Sequence, residues 1–286
     1  MTHPTAPGSW LAYRLAGVAR SRFITLSIGL ALVTGACGQD APPTKELAKE
    51  RAPDTTEVDV VTVMDRRSEE LAHAALRRLR PDDGIVGEEG LDHRGTGPIS
   101  WLVDPIDGTV NYLYDHGHYA VSVAAVVGDP RVDGGFWPVA GAVLNPALGD
   151  LYRARRGGGA ELVRGDVTRL LRATPATGLG LSLVGTGFGY DPGTRGRQGE
   201  AVARLLPQVR DIRRLGAGSL DLCSVAAGRL DAYYESGLHP WDHAAAWVVV
   251  EEAGLTIRGE AGGPPTRTMT MAGRPEILDA IAAIIV

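Results

Sequence analysis

The chain is poor in sulfur and in aromatic rings: two cysteines, four methionines and three phenylalanines occur in 286 residues, and aromatics make up 6%. Cys37 and Cys223 are too few for the disulfide framework of a small secreted domain, and two unpaired-looking thiols fit a reducing compartment. Neither cysteine sits in a nucleophile signature, and no Gly-x-Ser-x-Gly elbow occurs, which argues against a covalent acyl- or phospho-enzyme on Ser or Cys. No long hydrophobic run is present. Phe23 to Ala36 falls short of the roughly 20 residues a membrane-spanning helix needs. Charge of one sign is missing as well: 29 Lys and Arg stand against 34 Asp and Glu, for a net charge of −5 with both signs interspersed. The basic run Arg153 to Arg156 reads as a solvated strand end or turn, so nucleic acid is not expected as a partner. Gly157-Gly158-Gly159 lacks the Gly-Lys-Ser/Thr ending of a phosphate loop and reads as a hairpin turn. Tandem repeats and long low-complexity linkers are absent. The length suits one large domain or two small ones, and abundant Ala, Val and Leu supply a sizeable core.

Periodicity gives a mixed pattern. Thr62 to Leu79 reads as a helix with Leu71, Ala74, Ala75, Leu76 and Leu79 apolar, stopped by Arg80-Pro81-Asp82-Asp83-Gly84. Strands follow at Ile99 to Val103, Tyr119 to Val127, Phe136 to Leu144, Asp150 to Arg155 and Ala160 to Val163. The second half alternates: strands at Leu181 to Gly185, Asp211 to Leu215, Leu230 to Glu235 and Leu255 to Ile257, with helices at Gln198 to Leu206, Ser219 to Ala227, Asp242 to Glu252 and Glu276 to Ile285. This is an α/β chain.

The densest chemistry lies at Asp104-Pro105-Ile106-Asp107-Gly108-Thr109. The apolar run before it reads as a buried strand, with Asp104 at the strand's end and Asp107 in the turn beyond. Pro105 fixes its own φ and keeps Asp104 extended, and Gly108 admits a close backbone approach. Such an acidic turn collects hard cations like Mg²⁺, and the N–H groups after it suit an anion. Alone, the stretch is equally well an ordinary turn. Two other acidic sites stand with it: Gly87-Glu88-Glu89, otherwise a solvated loop, and Trp241-Asp242, where Asp242 alone reads as a helix N-cap.

With Asp59-Val60-Val61-Thr62 through Asp65 and Ser68-Glu69, these elements resemble, in order and spacing, the inositol monophosphatase family of Mg²⁺-dependent phosphatases. The match runs from about Asp54 to the C-terminus. Arg213-Arg214-Leu215-Gly216 through Glu235 resembles the bacterial branch. The resemblance implies the layered αβαβα sandwich of the inositol monophosphatase and fructose-1,6-bisphosphatase type. It implies one phosphatase domain over residues 46–286, in subregions of about 46–165 and 166–286. It also implies two to three Mg²⁺ ions: Glu88, Asp104 and the carbonyl of Ile106 at the first, Asp104, Asp107 and Asp242 at the second, and Glu88 with waters at a weaker third. The N–H groups of Gly108 and Thr109 would bind phosphate. Asp65 and the Thr109 hydroxyl would orient the attacking water, with Glu88 part of the same catalytic set. Glu235 would contact sugar hydroxyls, with Gly218 beside it. The reaction implied is hydrolysis of a small phosphate monoester, myo-inositol 1-phosphate or a related polyol phosphate, by direct attack of water. A homodimer and lithium inhibition are implied too. Phosphatases for histidinol phosphate, 3′-phosphoadenosine 5′-phosphate or fructose bisphosphate are the alternatives, as is a non-catalytic regulatory binding protein on the same fold.

The chain departs from the family in places. Asp54 stands where a lysine is common, Ala246 where glycine is common, and Asp115-His116-Gly117-His118 replaces a Gly/Pro segment. These histidines, with His239 and His243, read as loop and supporting residues beside an oxygen-rich site, with a transition-metal site the alternative. Residues 1–45 form an N-terminal extension or a diverged first helix. The apolar run ending at Gly35-Ala36-Cys37 has the shape of a signal segment, so export or a lipid anchor through residues 20–37 stands against the expected cytoplasmic location.

Overall fold

The computed structural model describes residues 61–173 and 178–285; the expectations for residues 1–45, Asp54 and Cys37 lie outside these. The described part opens with helix α1 (Val63–Leu79), started by a capping box in which the Thr62 hydroxyl accepts from the N–H of Asp65 while the Asp65 carboxylate accepts from the N–H of Thr62. Strands β1 (Gly84–Gly87) and β2 (Ile99–Asp107) pair in parallel. After the short helix α2 (Thr109–Leu113), β3 (Ala120–Gly128), β4 (Phe136–Asn145), β5 (Asp150–Arg155), β6 (Ala160–Arg164) and β7 (Val167–Leu171) add antiparallel in sequence order, making a seven-stranded sheet.

The second sheet has five strands in the order β11-β12-β10-β8-β9, with β8 (Leu183–Thr186) parallel to both β9 (Asp211–Arg213) and β10 (Ala232–Glu235). β11 (Thr256–Arg258) and β12 (Thr270–Gly273) close one side. The remaining helices are α3 (Pro192–Leu205), α4 (Gly218–Ala226), α5 (Pro240–Glu252) and α6 (Pro275–Ile285).

Three apolar clusters define five layers. Ala72 and Leu76 of α1 pack on Trp101, Val103, Val123 and Ala125, the outer face of the first sheet. On its inner face Leu102, Ala124 and Val126 meet α4 and α5, which also meet Tyr233 and Ala272 of the second sheet. Tyr234 and Met271, the chain neighbours of Tyr233 and Ala272, face outward to Leu205 of α3 and to Leu278 and Ile281 of α6. The period-2 alternation of the strands thus builds two cores on each sheet, and the order of layers is αβαβα. Every residue of α4 is buried, as are His243 to Val250 of α5; helices apolar on all sides belong inside. At Gly141 of β4 an added Cβ would lie 2.3 Å from the carbonyl oxygen of Ala245, so α5 rests directly on the sheet backbone there.

Several boundaries differ from the sequence expectation. β2 does not stop at Val103 but runs on to Asp107, because the register shift between Asp104 and Asp107 lets the ladder absorb Pro105 as a bulge. The N-cap of α5 is His239, and Asp242 lies at N3, where its carboxylate accepts the His239 N–H at 2.7 Å. α3 starts at Pro192, capped by Asp191, earlier than the apolar residues indicated. Leu181 belongs to a 3₁₀ turn, so the strand after it starts at Leu183. β1, β7, β12 and α2 have no counterpart in the strands and helices read from the sequence. β7 is an edge strand with four exposed residues and little alternation, and α2 is only five residues long.

Arg156 is more than a solvated turn residue: it pairs with Glu251 and stacks over Trp137, 4.6 Å from the ring centroid. The glycine turn beside it does hold an anion, but an internal one, since the N–H groups of Gly157 and Gly159 donate to Glu252 at 2.7 and 2.8 Å. This satisfies two carboxylates that would otherwise oppose the negative end of α5.

Candidate active site

The proposed site residues come from seven elements, with Gly108 and Thr109 at the start of α2. Glu88 follows directly on β1, Asp104, Ile106 and Asp107 lie within β2, and Asp65 and Asp242 sit at N3 of α1 and α5. Gly218 opens α4 and Glu235 ends β10. The C-terminal ends of parallel β1 and β2 meet the first turns of these helices, the usual place for a ligand in such sheets.

Hydrogen bonds tie the pieces together. The Thr109 hydroxyl lies 3.2 Å from Asp65 Oδ1 and 3.0 Å from the carbonyl of Ile106, either of which can take its single proton. Asp65 is buried, and its other oxygen takes the N–H and hydroxyl of Thr62 at 2.7 and 2.5 Å. Asp107 acts as a cap in trans for α4, whose Ala217 N-cap offers no side-chain bond: its carboxylate accepts from the N–H of Gly218 at 3.2 Å and from the N–H and hydroxyl of Ser219 at 2.7 and 2.5 Å. Gly108 has φ of +88°, and an added Cβ would meet the Gly216 carbonyl at 3.0 Å, so glycine is required for the turn from β2 to α2 to pass the α4 loop. Asn111 of α2 donates to the carbonyls of His118 and Leu215 at 2.7 and 2.8 Å, and His118 Nε2 lies 3.0 Å from buried Asp221 of α4.

The electrostatics are those of acids crowded without a counter-charge. Burial first, then Glu88, Asp107 and Asp242, push Asp104 well above the usual carboxylate range. Asp242 rises likewise through burial and the charges of Glu88 and Asp107. Glu88 is solvent-accessible as a residue, yet its carboxyl is shifted upward by loss of water and by the like charges of Glu89, Asp107 and Asp65. Asp65 and Asp107 rise through burial, opposed by the hydrogen bonds they accept.

Asp104 is 1% exposed, and its Oδ1 has no hydrogen-bond partner. A buried carboxylate oxygen with nothing to accept is costly unless a cation meets it. The donor set is all carboxylate and carbonyl oxygen, which fits a hard divalent ion such as Mg²⁺. Among the described residues no three His, Cys, Asp or Glu side chains already converge into a finished cage. Asp107 and Asp242 are instead turned toward backbone N–H groups of α4 and α5.

Of the histidine side chains, His118 faces Asp107 electrostatically, while those of His239 and His243 pack on aromatic rings. His239 stacks on Trp241 with centroids 4.8 Å apart, and His243 is buried against Phe136, its pKa pushed down to about 3 by burial. Three supporting residues carried no role in the sequence reading: Ser219, Tyr233, whose hydroxyl donates to Glu235, and Glu69. The Ser68-Glu69 pair that follows Asp65 in the family-like stretch was the signal available for Glu69.

Crowded buried acids at the junction of β1, β2 and three helices, in an αβαβα order of layers, are the features of a phosphatase type of α/β sandwich. The chain belongs to the inositol monophosphatase family, whose model matches residues 20–285. It is 42% identical over 233 residues to inositol-1-monophosphatase SuhB of Mycobacterium tuberculosis, covering 79% of this chain and 77% of that protein. It is 35% identical over 240 residues to the Nus factor SuhB of Xylella fastidiosa, covering 80% and 82%. The solved structure of Mycobacterium tuberculosis SuhB superposes with a TM-score of 0.74 at 38% identity, covering 94% of this chain and 97% of that one. Among the described residues no helix is long and apolar enough to cross a membrane.

Proposed function

We propose that this protein is an Mg²⁺-dependent phosphomonoesterase acting on myo-inositol 1-phosphate or a related sugar or polyol monophosphate. The observation that carries the reading is buried Asp104, its Oδ1 unpartnered, within electrostatic reach of Glu88, Asp107 and Asp242. Glu88, Asp104 and the Ile106 carbonyl would hold one ion, Asp104, Asp107 and Asp242 a second, and Glu88 a weaker third. When bound, the ions neutralise phosphate charge, acidify water and stabilise the leaving alkoxide.

The chain's own groups do the rest. Gly108 and Thr109 offer backbone N–H groups to the phosphate oxygens. Asp65 Oδ1 and the Thr109 hydroxyl form a short relay in which the hydroxyl orients the attacking water and the carboxylate receives its proton. Glu235, steadied by the Tyr233 hydroxyl, takes the polyol's hydroxyls, and Gly218 leaves room beside that hydroxyl and Leu238. Water attacks in line, so a single oxygen from solvent enters the released phosphate.

The test is phosphate release from myo-inositol 1-phosphate with and without Mg²⁺, beside Asp104→Asn. Mg²⁺-dependent release that the substitution lowers by a hundredfold or more, on the order of the loss of one essential electrostatic group, is expected. Trapping of a phospho-enzyme would overturn direct attack. A second reading, a regulatory binding protein, is supported by the relative named as a Nus factor. A protein that binds Mg²⁺ but releases phosphate from no member of a substrate panel would move it ahead. A homodimer by sedimentation, inhibition by lithium and a cytoplasmic location with residues 20–37 retained by mass spectrometry complete the proposal.

A further inference from the structure

Of the side chains proposed to hold Mg²⁺, Glu88 alone rides on a turn; Asp104 and Asp107 are built into β2 and Asp242 into α5. Something must hold that turn. One face of α1 carries Asp65, Ser68 and Glu69 at i, i+3 and i+4. Asp65 meets Thr109, and the Ser68 hydroxyl donates to the carbonyl of Pro105 at 3.3 Å. Glu69 is 1% exposed, and its carboxylate accepts from the N–H of Glu89 at 3.1 Å and of Leu91 at 3.4 Å, the residues on the far side of Glu88. The same carboxylate fills the space beside Gly87: an added Cβ there would lie 1.6 Å from Glu69 Oε1, and the other near atoms also belong to Glu69. Gly87 has no left-handed φ, so its backbone would accept alanine; the neighbour excludes it. The N–H of Glu88 donates to the carbonyl of Val103 at 3.1 Å, tying the turn to β2 as well. A carboxylate buried with two backbone donors and no cation beside it is a poor way to gain stability. It is a good way to fix a loop.

We propose that Glu69 is a positioning residue for Glu88, holding the turn so that Glu88 reaches the ion shared with Asp104, and that Gly87 is glycine to make room for it. The proposal rests on the metal reading above for its consequence, but not for its geometry. Mutations of groups that orient a metal ligand cost about 10- to 100-fold in affinity. In the full-length protein, Glu69→Gln is therefore expected to raise the half-saturating Mg²⁺ concentration, measured by calorimetry, about tenfold. Hydrogen exchange of metal-free protein should show the Glu89 and Leu91 amides exchanging faster, with helix α5 unchanged. Gly87→Ala should reproduce both effects in the presence of Glu69 and lose most of its effect on a Glu69→Ala background. Should Glu69→Gln fail to fold, Gly87→Ala takes its place, because it displaces the same carboxylate without removing its charge. Unchanged exchange of the two amides, or Gly87→Ala equally harmful with and without Glu69, would overturn the proposal. Wild-type protein that binds no Mg²⁺ would overturn the metal reading instead, while the exchange and double-substitution results would still decide the role of Glu69.

Discussion

Glu235 is held from two sides. Tyr233, two residues earlier on the same face of β10, donates its hydroxyl to the carboxylate, and Gly187 across the ladder leaves the space the carboxylate fills, since an added Cβ would lie 2.0 Å from Oε2. Burial lifts the Glu235 pKa from 4.5 to about 7, with Asp221 and Asp107 adding to the rise and the Tyr233 bond opposing it. A carboxylate raised in the folded state binds its proton more tightly there than in the unfolded chain. Its contribution to stability is therefore complete below about pH 4.5 and lost as pH rises through about 7. Thermal unfolding of metal-free protein across this range should show a decline that Glu235→Gln reduces. Tyr233→Phe removes a hydrogen bond to a charged group, worth about 1.5–3 kcal/mol. It should raise KM for a polyol phosphate roughly 10- to 100-fold while leaving Mg²⁺ affinity unchanged, a split that steady-state kinetics and calorimetry would expose.

At the scale of elements, the contact between α5 and β4 governs how Asp242 is presented. Ala244-Ala245-Ala246 lets the helix settle on the sheet, and Gly141 is where the two backbones come closest. Alanine at 141 would place its Cβ 2.3 Å from the Ala245 carbonyl oxygen and 2.6 Å from its Cα, atoms that cannot turn aside. Overpacking of this kind costs about 1–3 kcal/mol, and here the backbone contact puts Gly141→Ala at the upper end. Chemical denaturation would measure it. Because α5 must lift to relieve the clash, Mg²⁺ affinity should fall with stability. Leu222→Ala in α4 is the comparison: it empties a fully buried site instead of overpacking one, and should cost about 2–5 kcal/mol.

Over the whole molecule, the layers are also joined by polar links. Asp150 of β5 is 1% exposed and is clamped by Arg164 of β6 and by Arg229, which follows α4 and also donates to the Tyr152 hydroxyl at 2.6 Å. Burial opposes ionisation of Asp150, but the two guanidinium groups outweigh it and hold its pKa below 3.8. A depressed carboxylate pKa stabilises the fold above the unfolded value and loses that contribution as pH falls through the folded one. Asp150→Asn should cost about 1.5–3 kcal/mol near neutral pH, and its difference from wild type should shrink as pH drops below 3.8. A difference independent of pH would show that shape, not charge, holds this junction.

Much was determined along the chain alone. The apolar runs of β3 and β4, the capping box at Thr62 and Asp65, and the apolar run of α5 are local signals, and local physics fixes them. The Asp104 to Thr109 stretch, equally well an ordinary turn when taken alone, became a candidate site through its company, Gly87-Glu88-Glu89 and Trp241-Asp242. What the sequence could not express is any interaction that depends on distance in space. Asp107 capping α4 across 111 residues, Glu252 gripping the glycine turn, Glu69 filling the space beside Gly87 and the continuation of β2 through Pro105 exist only once the layers have met. Residue types near one another in the chain state what chemistry is available. Burial and backbone approach, which are properties of the packed molecule, decide which carboxylate is left with an open oxygen and which is already bound.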